Sequence, residues 1–417
     1  MTRPSSTEHF IGGLRWADVP EQVRLRTVAL VRDFAAVCRA GATAPTAQLA
    51  ATYAAAQHAG DQATLLCDGK RASATGAAWA NGVLANALDL DDGHRLVKGH
   101  PGANVIPAAL SVAETIDAPR EDVLAAITVG YEVAVRAGIA LHFRAADYHG
   151  SGAWGAIGAA AAGARLLGLD AGQTGHALGL AEYHAPMAPI MRSVADPAMT
   201  KDGCGWGAMT GTSSALLAAD GFTATDSAIL EVLRGPESRL GERWYVEEMY
   251  VKAYPCCRWS QPAIVAALAV RRRYGLEPEA IGRVTVPTFA AAAALSRRPP
   301  RTTEDAQYSL VWPVACALID GDFGVAHVLA PGLDEERVHD LAGRIVVQVD
   351  PDLEADFPGI RRSAVTVETT DGTRLSSPLC AAPGEPEDPG WEDIIAAKFT
   401  RHVGELSDDS PLTRLLR

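Results

Sequence analysis

The sequence predicts a mainly α protein, a large all-helical domain with a smaller α+β domain, and three observations carry that reading. From about residue 20 to 235, Ala/Leu/Val-rich segments with helical spacing follow one another, separated by Gly, Pro or Asp. After Gly235 the texture shifts to runs of β-branched residues. The last thirty or so residues return to a helical pattern.

In the first part, PEQVRLRTVALVRDFAAVCRAG, TAQLAATYAAAQHAG, GAAWANGVLANAL, REDVLAAITVGYEVAVRAGIAL and GAWGAIGAAAAGARLLGLD each carry apolar residues three and four apart. Short links between them argue for a helical bundle or array, here assigned to residues 1–249. In the second part, GRVTVPTFAAAAAL, GRIVVQVDPDL and SAVTVETTDGTRLSS read as strands, the last with a TTDGT turn, and QPAIVAALAVRRRYG and WPVACALIDGDFGVAHVLA read as helices between them. That assigns an inserted α+β domain to residues 250–387. The tail WEDIIAAKFTRHVGEL makes residues 388–417 a helical segment that packs back on the first domain.

Composition narrows the function. Hydrophobic residues make up 48% and charged residues 21%, and 37 basic against 50 acidic side chains leave a net charge of −13 with no basic block. Nucleic acid and anionic membrane surfaces are therefore excluded as partners, and an anionic ligand needs a local cationic pocket. The N-terminus lacks the layout of a signal peptide, which makes a cytoplasmic location the expectation. Seven cysteines without a CxxC argue against a disulfide framework or a Cys-rich zinc site. Lysine occurs only at 70, 98, 201, 252 and 398. Each one is conspicuous, because among the strong cations only Lys readily shifts its pKa.

One stretch breaks local rules. LDLDDGHRLVKGHPG (residues 88–102) ends a predicted helix on three aspartates, facing the negative end of the dipole, with Gly93 where a C′ glycine stands. Asp89 and Asp92 would share a helical face, over which His94 and His100 fold back. A solvated helix end is the plain alternative. The DxDD pattern of carbocation cyclases needs aromatic walls, which a 6% aromatic content does not supply. A metal site from Asp89, Asp92, His94 and His100 lacks an HxxxH or HxH element, so no metal is expected.

Three further motifs stand out. HGSGAWG (149–155) is formally GxGxxG but follows no convincing strand, so its small residues are read as close helix packing, with His149 at the helix mouth. TKDGCGWG (200–207) sets Lys201 in a glycine-rich turn before a helix, a place suited to a carboxylate or phosphate, although it is not a P-loop. YVKAYPCC (250–257) puts Lys252 at the junction of the two domains.

Taken in order, NGVLANALDLDDGH, GHPGANVIPAAL, GYEVAVRAG, HGSGAWGAIGAAAAGARLLGLD, the Lys201 turn, VKAYPCC and YSLVWPVACALIDG resemble the MmgE/PrpD family, which includes 2-methylcitrate dehydratase, cis-aconitate decarboxylase and iminodisuccinate epimerase. The resemblance implies a helical domain with an α+β lid, a homodimer, and decarboxylase or epimerase chemistry without a cofactor. It implies Asp89, His100, His149, Lys201 and Lys252 as catalytic; Asp92, His94, Tyr254 and Trp312 are added as candidates for contact with substrate. Trp312 stands where the family has a Tyr, Gln261 where a His is common, and Asp-Gly-Cys-Gly follows Lys201 in place of a His, which makes methylcitrate itself a doubtful substrate.

The expected activity is a cofactor-independent lyase of the dehydratase type, acting by proton abstraction beside a carboxylate of a small hydroxy or polycarboxylic acid. Lys201 and Lys252 would stabilise enolate charge, and His100 and His149 would share acid and base work with Asp89 orienting one imidazole. Epimerisation or decarboxylation of a related acid is the alternative within enzymes. A non-catalytic binding or scaffold role is the alternative outside them.

Overall fold

In a computed structural model, residues 7–235, 238–406 and 410–417 are described. The helical part runs through α1 (Thr7–Gly13), α2 (Glu21–Gly41), α3 (Pro45–Gln57), α4 (Ala74–Asn86), α5 (Gly102–Thr115), α6 (Arg120–Arg144), α7 (Gly152–Leu166), α8 (Ala171–His184), α9 (Ile190–Ala195) and α10 (Cys204–Ala219). The spacing that predicts α2 also buries it, turning Val23, Thr27, Leu30, Val31, Phe34 and Cys38 inward.

The centre of this part is α7, which packs most extensively on α6 and α10. Its Ala and Gly residues let the helix backbones approach closely. A Cβ on Gly158 would collide with Ala134 and the carbonyl of Gly130, and one on Gly155 would collide with Asn104. The GxGxxG stretch is thus a packing surface, and the segment before it is the end of α6 rather than a strand. Although α6 is long and apolar enough to cross a membrane, it lies mostly buried among its neighbours.

The second part carries a four-stranded sheet ordered Ile345–Val349, Ile281–Thr288, Thr366–Thr369, Arg374–Ser376. The first pair is parallel and the others are antiparallel. TTDGT makes the expected turn: Gly372 takes φ +88°, and Thr369 N–H donates to the Thr373 carbonyl at 2.9 Å. The overall class is mainly α with a smaller α+β region. The helix Trp391–His402 returns to α2, where Arg26 lies 3.8 Å over the Trp391 ring and Lys398 pairs with the buried Asp33.

The structure corrects the expected helix end. α4 stops at Asn86, so the three aspartates lie beyond it and share no helical face. Asp89 itself takes the left-handed conformation at φ +52°. Aspartate tolerates that conformation better than most residues. Gly93 is no C′ glycine either; it pairs with Tyr250 in a short antiparallel ladder, and a Cβ there would strike the Tyr250 ring.

The tight centre gives a stability prediction. Gly158→Val should lower the unfolding free energy by about 3 kcal/mol through overpacking, read as a fall in the urea midpoint. Gly175→Ala, with open space around it, should hold or raise that midpoint.

Candidate active site

Three loops converge on one cleft: residues 87–101 after α4, the turn before α10, and the segment around Lys252. The cleft is a cavity of about 40 Å3 whose walls include Asp89, Lys98, His100, Asp202, Lys252, Tyr308 and Arg361. Five non-glycine residues among those described have left-handed φ, and Asp89, Lys98 and Lys201 are three of them, at +52°, +49° and +42°. For lysine this conformation costs roughly 1–2 kcal/mol. Strained backbone gathered in one place marks positions that the surrounding contacts over-determine.

The Asp89 turn is held by a single ammonium. Lys252 Nζ donates to the Asp89 carbonyl at 2.8 Å and lies 3.0 Å from its carboxylate Oδ1, with both side chains buried. Burial alone would push the Lys252 pKa down, but the negative charges of Asp89 and Asp91 raise it above its ordinary value. Lys252 therefore stays charged and serves as a fixed electrostatic clamp rather than a proton carrier.

His100 sits between carboxylates. Its Nδ1 is 2.9 Å from the Asp92 carbonyl and 3.2 Å from Asp91 Oδ2. On the other side, Nε2 lies 3.4 Å from Asp89 Oδ1 and 4.0 Å from Asp202 Oδ2. Burial is the largest influence and opposes the imidazolium, as does the repulsion of Lys252, yet the charge and hydrogen bond of Asp91 together with the charge of Asp202 overcome both, raising the pKa to about 9. Asp91 is correspondingly lowered to about 2 despite its own burial, chiefly by the charge and hydrogen bond of His100. It also accepts from Asn86 Nδ2 at 3.1 Å. The group behind the imidazole is thus Asp91, whereas Asp89 stands on its cleft side.

Two side chains that sequence reasoning passed over complete the cluster. Asp202 accepts from Ser151 Oγ at 3.0 Å and from the Tyr308 hydroxyl at 3.1 Å. Tyr308 supplies a hydroxyl to this cleft, four residues before Trp312. Its signal was present in YSLVWPVA, but the Trp in the same block drew the attention. Asp202 heads the Asp-Gly-Cys-Gly stretch that the sequence comparison treats only as the absence of a family histidine.

Of the sequence-predicted residues, the structure brings Asp89, His100 and Lys252 together. Lys201 is buried behind them: its ammonium donates to Gln307 Oε1, whose Nε2 reaches the Ala87 carbonyl at 2.9 Å, and it lies 5.7 Å from the centre of the Tyr308 ring. His149 is not among the cleft residues, and its Nδ1 is 3.0 Å from the Asp147 carbonyl. Asp92 caps α5, accepting from Gly102 N at 3.1 Å and from the Tyr131 hydroxyl; burial raises its pKa to about 7.

His94 is fully buried edge-on to Tyr245, and that burial, aided by nearby arginines, lowers its pKa to about 3. Tyr254 lines a separate cavity with Asp322 and Lys398. Trp312 is wholly buried and donates its indole N–H to the His327 carbonyl at 2.9 Å. None of these last four faces the cleft, because each side chain is committed to local packing or hydrogen bonding.

Donor atoms of Asp89, His100 and Asp202 lie within 4.8 Å of one another, the spacing of a possible cation site. The arrangement fits a metal poorly, since a protonated imidazole has no free lone pair and Lys252 already occupies the Asp89 oxygen. It fits proton transfer next to bound negative charge.

Comparison with known proteins agrees with the fold. The family profile for the MmgE/PrpD N-terminal domain matches residues 6–242, and that for the MmgE/PrpD C-terminal domain matches residues 254–414. Among curated proteins, a cis-aconitate decarboxylase-like protein, oryM, of Aspergillus oryzae is 24% identical over 98% of this chain and 92% of its own length. The cis-aconitate decarboxylase of Aspergillus terreus is 22% identical (96% and 89%), and that of Homo sapiens is 25% identical (97% and 89%).

The charge arrangement predicts one titration. In Asp91→Asn, His100 loses its main stabilising carboxylate, so its pKa should fall from about 9 toward the ordinary ~6.5. NMR titration of the imidazole nitrogens checks this; an unchanged His100 would show that Asp91 does not set its charge.

Proposed function

Because the chain belongs to the MmgE/PrpD family, we propose that it is a lyase acting on a small polycarboxylic acid, with His100 as the general acid. One observation carries the reading: the His100 ring stands among the carboxylates of Asp91, Asp89 and Asp202, which favour its imidazolium form, with Nε2 directed at the cleft beside Tyr308. A group protonated at neutral pH donates a proton and cannot take one. The cleft holds no second imidazole among the described residues.

This favours decarboxylation over the dehydration that the sequence suggests. The carbon–carbon bond to one carboxylate breaks, and its electron pair passes into an adjacent double bond as CO2 leaves. The carbon at the far end takes the proton from His100 Nε2, and solvent returns that proton to the imidazole. Charge that builds during the shift is met by the Lys252 ammonium, preorganised in a site screened from water. The named activity of the relatives, on cis-aconitate, points to an unsaturated tricarboxylate or a close analogue as the substrate class.

Dehydration is the second reading, and the Tyr308–Asp202 hydrogen bond favours it by placing a base candidate opposite the acid. A homodimer, implied by the family resemblance, belongs to the same proposal; sedimentation as a single chain at micromolar concentration would remove it.

Incubating the protein with cis-aconitate, citrate, malate and related acids in D2O separates the chemistries. CO2 with one solvent deuterium in the product supports decarboxylation, a new alkene without CO2 supports dehydration, and no product from any acid overturns the proposal. With a substrate in hand, His100→Gln should lower kcat by about 10²-fold or more. As the acid must be protonated, kcat/KM should be level around neutral pH and fall as pH rises through about 9; a rise there would contradict the assignment.

A further inference from the structure

Two guanidinium groups line the cleft, and their surroundings differ. Arg258 has a carboxylate partner: it donates to Glu385 Oε1 at 2.9 Å and to the carbonyls of Val251 and Pro383 at 3.2 and 2.6 Å, although its Nε, like that of Arg361, is buried without a partner. Arg361 is only 6% exposed, its Nε is buried without a hydrogen-bond partner, and no carboxylate among the described residues pairs with it. The Tyr250 ring lies 5.9 Å from its guanidinium carbon, and Arg361 feels the charges of Glu385 and Arg258 without forming an ion pair to Glu385, which is bound to Arg258.

An unpaired guanidinium kept from water is costly, and a planar fork of donors is matched by a carboxylate. A second unneutralised cation, Lys98, lines the same cavity; it rests over the Tyr148 ring at 3.2 Å and is repelled by Arg361. Lys252, by contrast, already has Asp89.

We infer that Arg361 and Lys98 form an anion subsite that takes a carboxylate of the substrate remote from the reacting carbon. The inference rests on the carboxylate-substrate reading above and narrows it to acids with at least two carboxylates. Arg361 comes from the sheet-bearing part, just before the strand Arg362–Ser363, and Lys98 from the loop after α4. The bound carboxylate would therefore join the two parts of the molecule across the cleft.

Calorimetric binding of three probes, succinate, tricarballylate and butyrate, tests this on the full chain. Arg361→Met should weaken succinate and tricarballylate by roughly 10- to 100-fold and leave butyrate unchanged, with Arg361→Lys intermediate. Without ligand, Arg361→Met should melt at the same temperature as the parent or higher, because a buried unpaired charge has gone; a residue needed for packing would lower it. Should Arg361→Met fail to fold, Lys98→Met gives the same selective loss.

Equal binding of succinate by parent and both variants, or an equal loss of butyrate, overturns the subsite. Selective loss in a protein that turns over no acid would instead leave the subsite standing and overturn the lyase reading. Turnover that ignores Arg361 and Lys98 would overturn the subsite alone.

Discussion

Everything in the cleft depends on one buried ammonium. Lys252 meets both the carbonyl and the carboxylate of Asp89, and so holds a non-glycine residue in a left-handed turn. Without that contact, a buried carboxylate and a strained backbone would stand uncompensated; breaking such a pair typically costs about 3–5 kcal/mol. The turn in turn aims the next carbonyls and carboxylates: Asp91 at His100, Asp92 at the start of α5, and the Leu90 carbonyl at Lys398, 3.3 Å away. Two of the five lysines thus hold consecutive carbonyls of a single loop.

A protein with thirteen excess negative charges can still present a site for anions, because the field of a cleft is set by its nearest groups. Here the acids are committed within the cluster, Asp89 to Lys252, Asp91 to His100, and Asp202 to Tyr308 and Ser151. Among the described residues, the cleft cations with no carboxylate within ion-pair distance are Lys98 and Arg361. The same commitment makes His100 an acid: its charge is maintained by Asp91 from behind, leaving Nε2 toward the cleft.

Much of the fold was legible because it follows local rules. Helical spacing marks α2 and α6, small residues mark the closely packed α7, and TTDGT marks the turn between the last sheet strands. The helix end at 86–93 was misread for a local reason. Three aspartates at a dipole's negative end look like a property of the helix, yet a lysine 163 residues later decides their conformation. Tyr308 and Asp202 were overlooked because a hydroxyl or a carboxylate in a loop carries no spacing signal. Trp312 and Tyr254 were singled out because a motif names its residues without saying which way they face.

By itself the sequence determined the class, the family and the presence of an acid- and lysine-bearing loop, since these depend on periodicity, ordered motifs and residue type. Tertiary structure alone decided which charges meet. Partners such as His100 with Asp202, Lys201 with Gln307, and Arg361 across from Lys98 lie about a hundred residues or more apart. Whether a buried ion is paired, and therefore whether it is structural, acidic or open to a ligand, is a matter of distances of a few ångströms that no local pattern encodes.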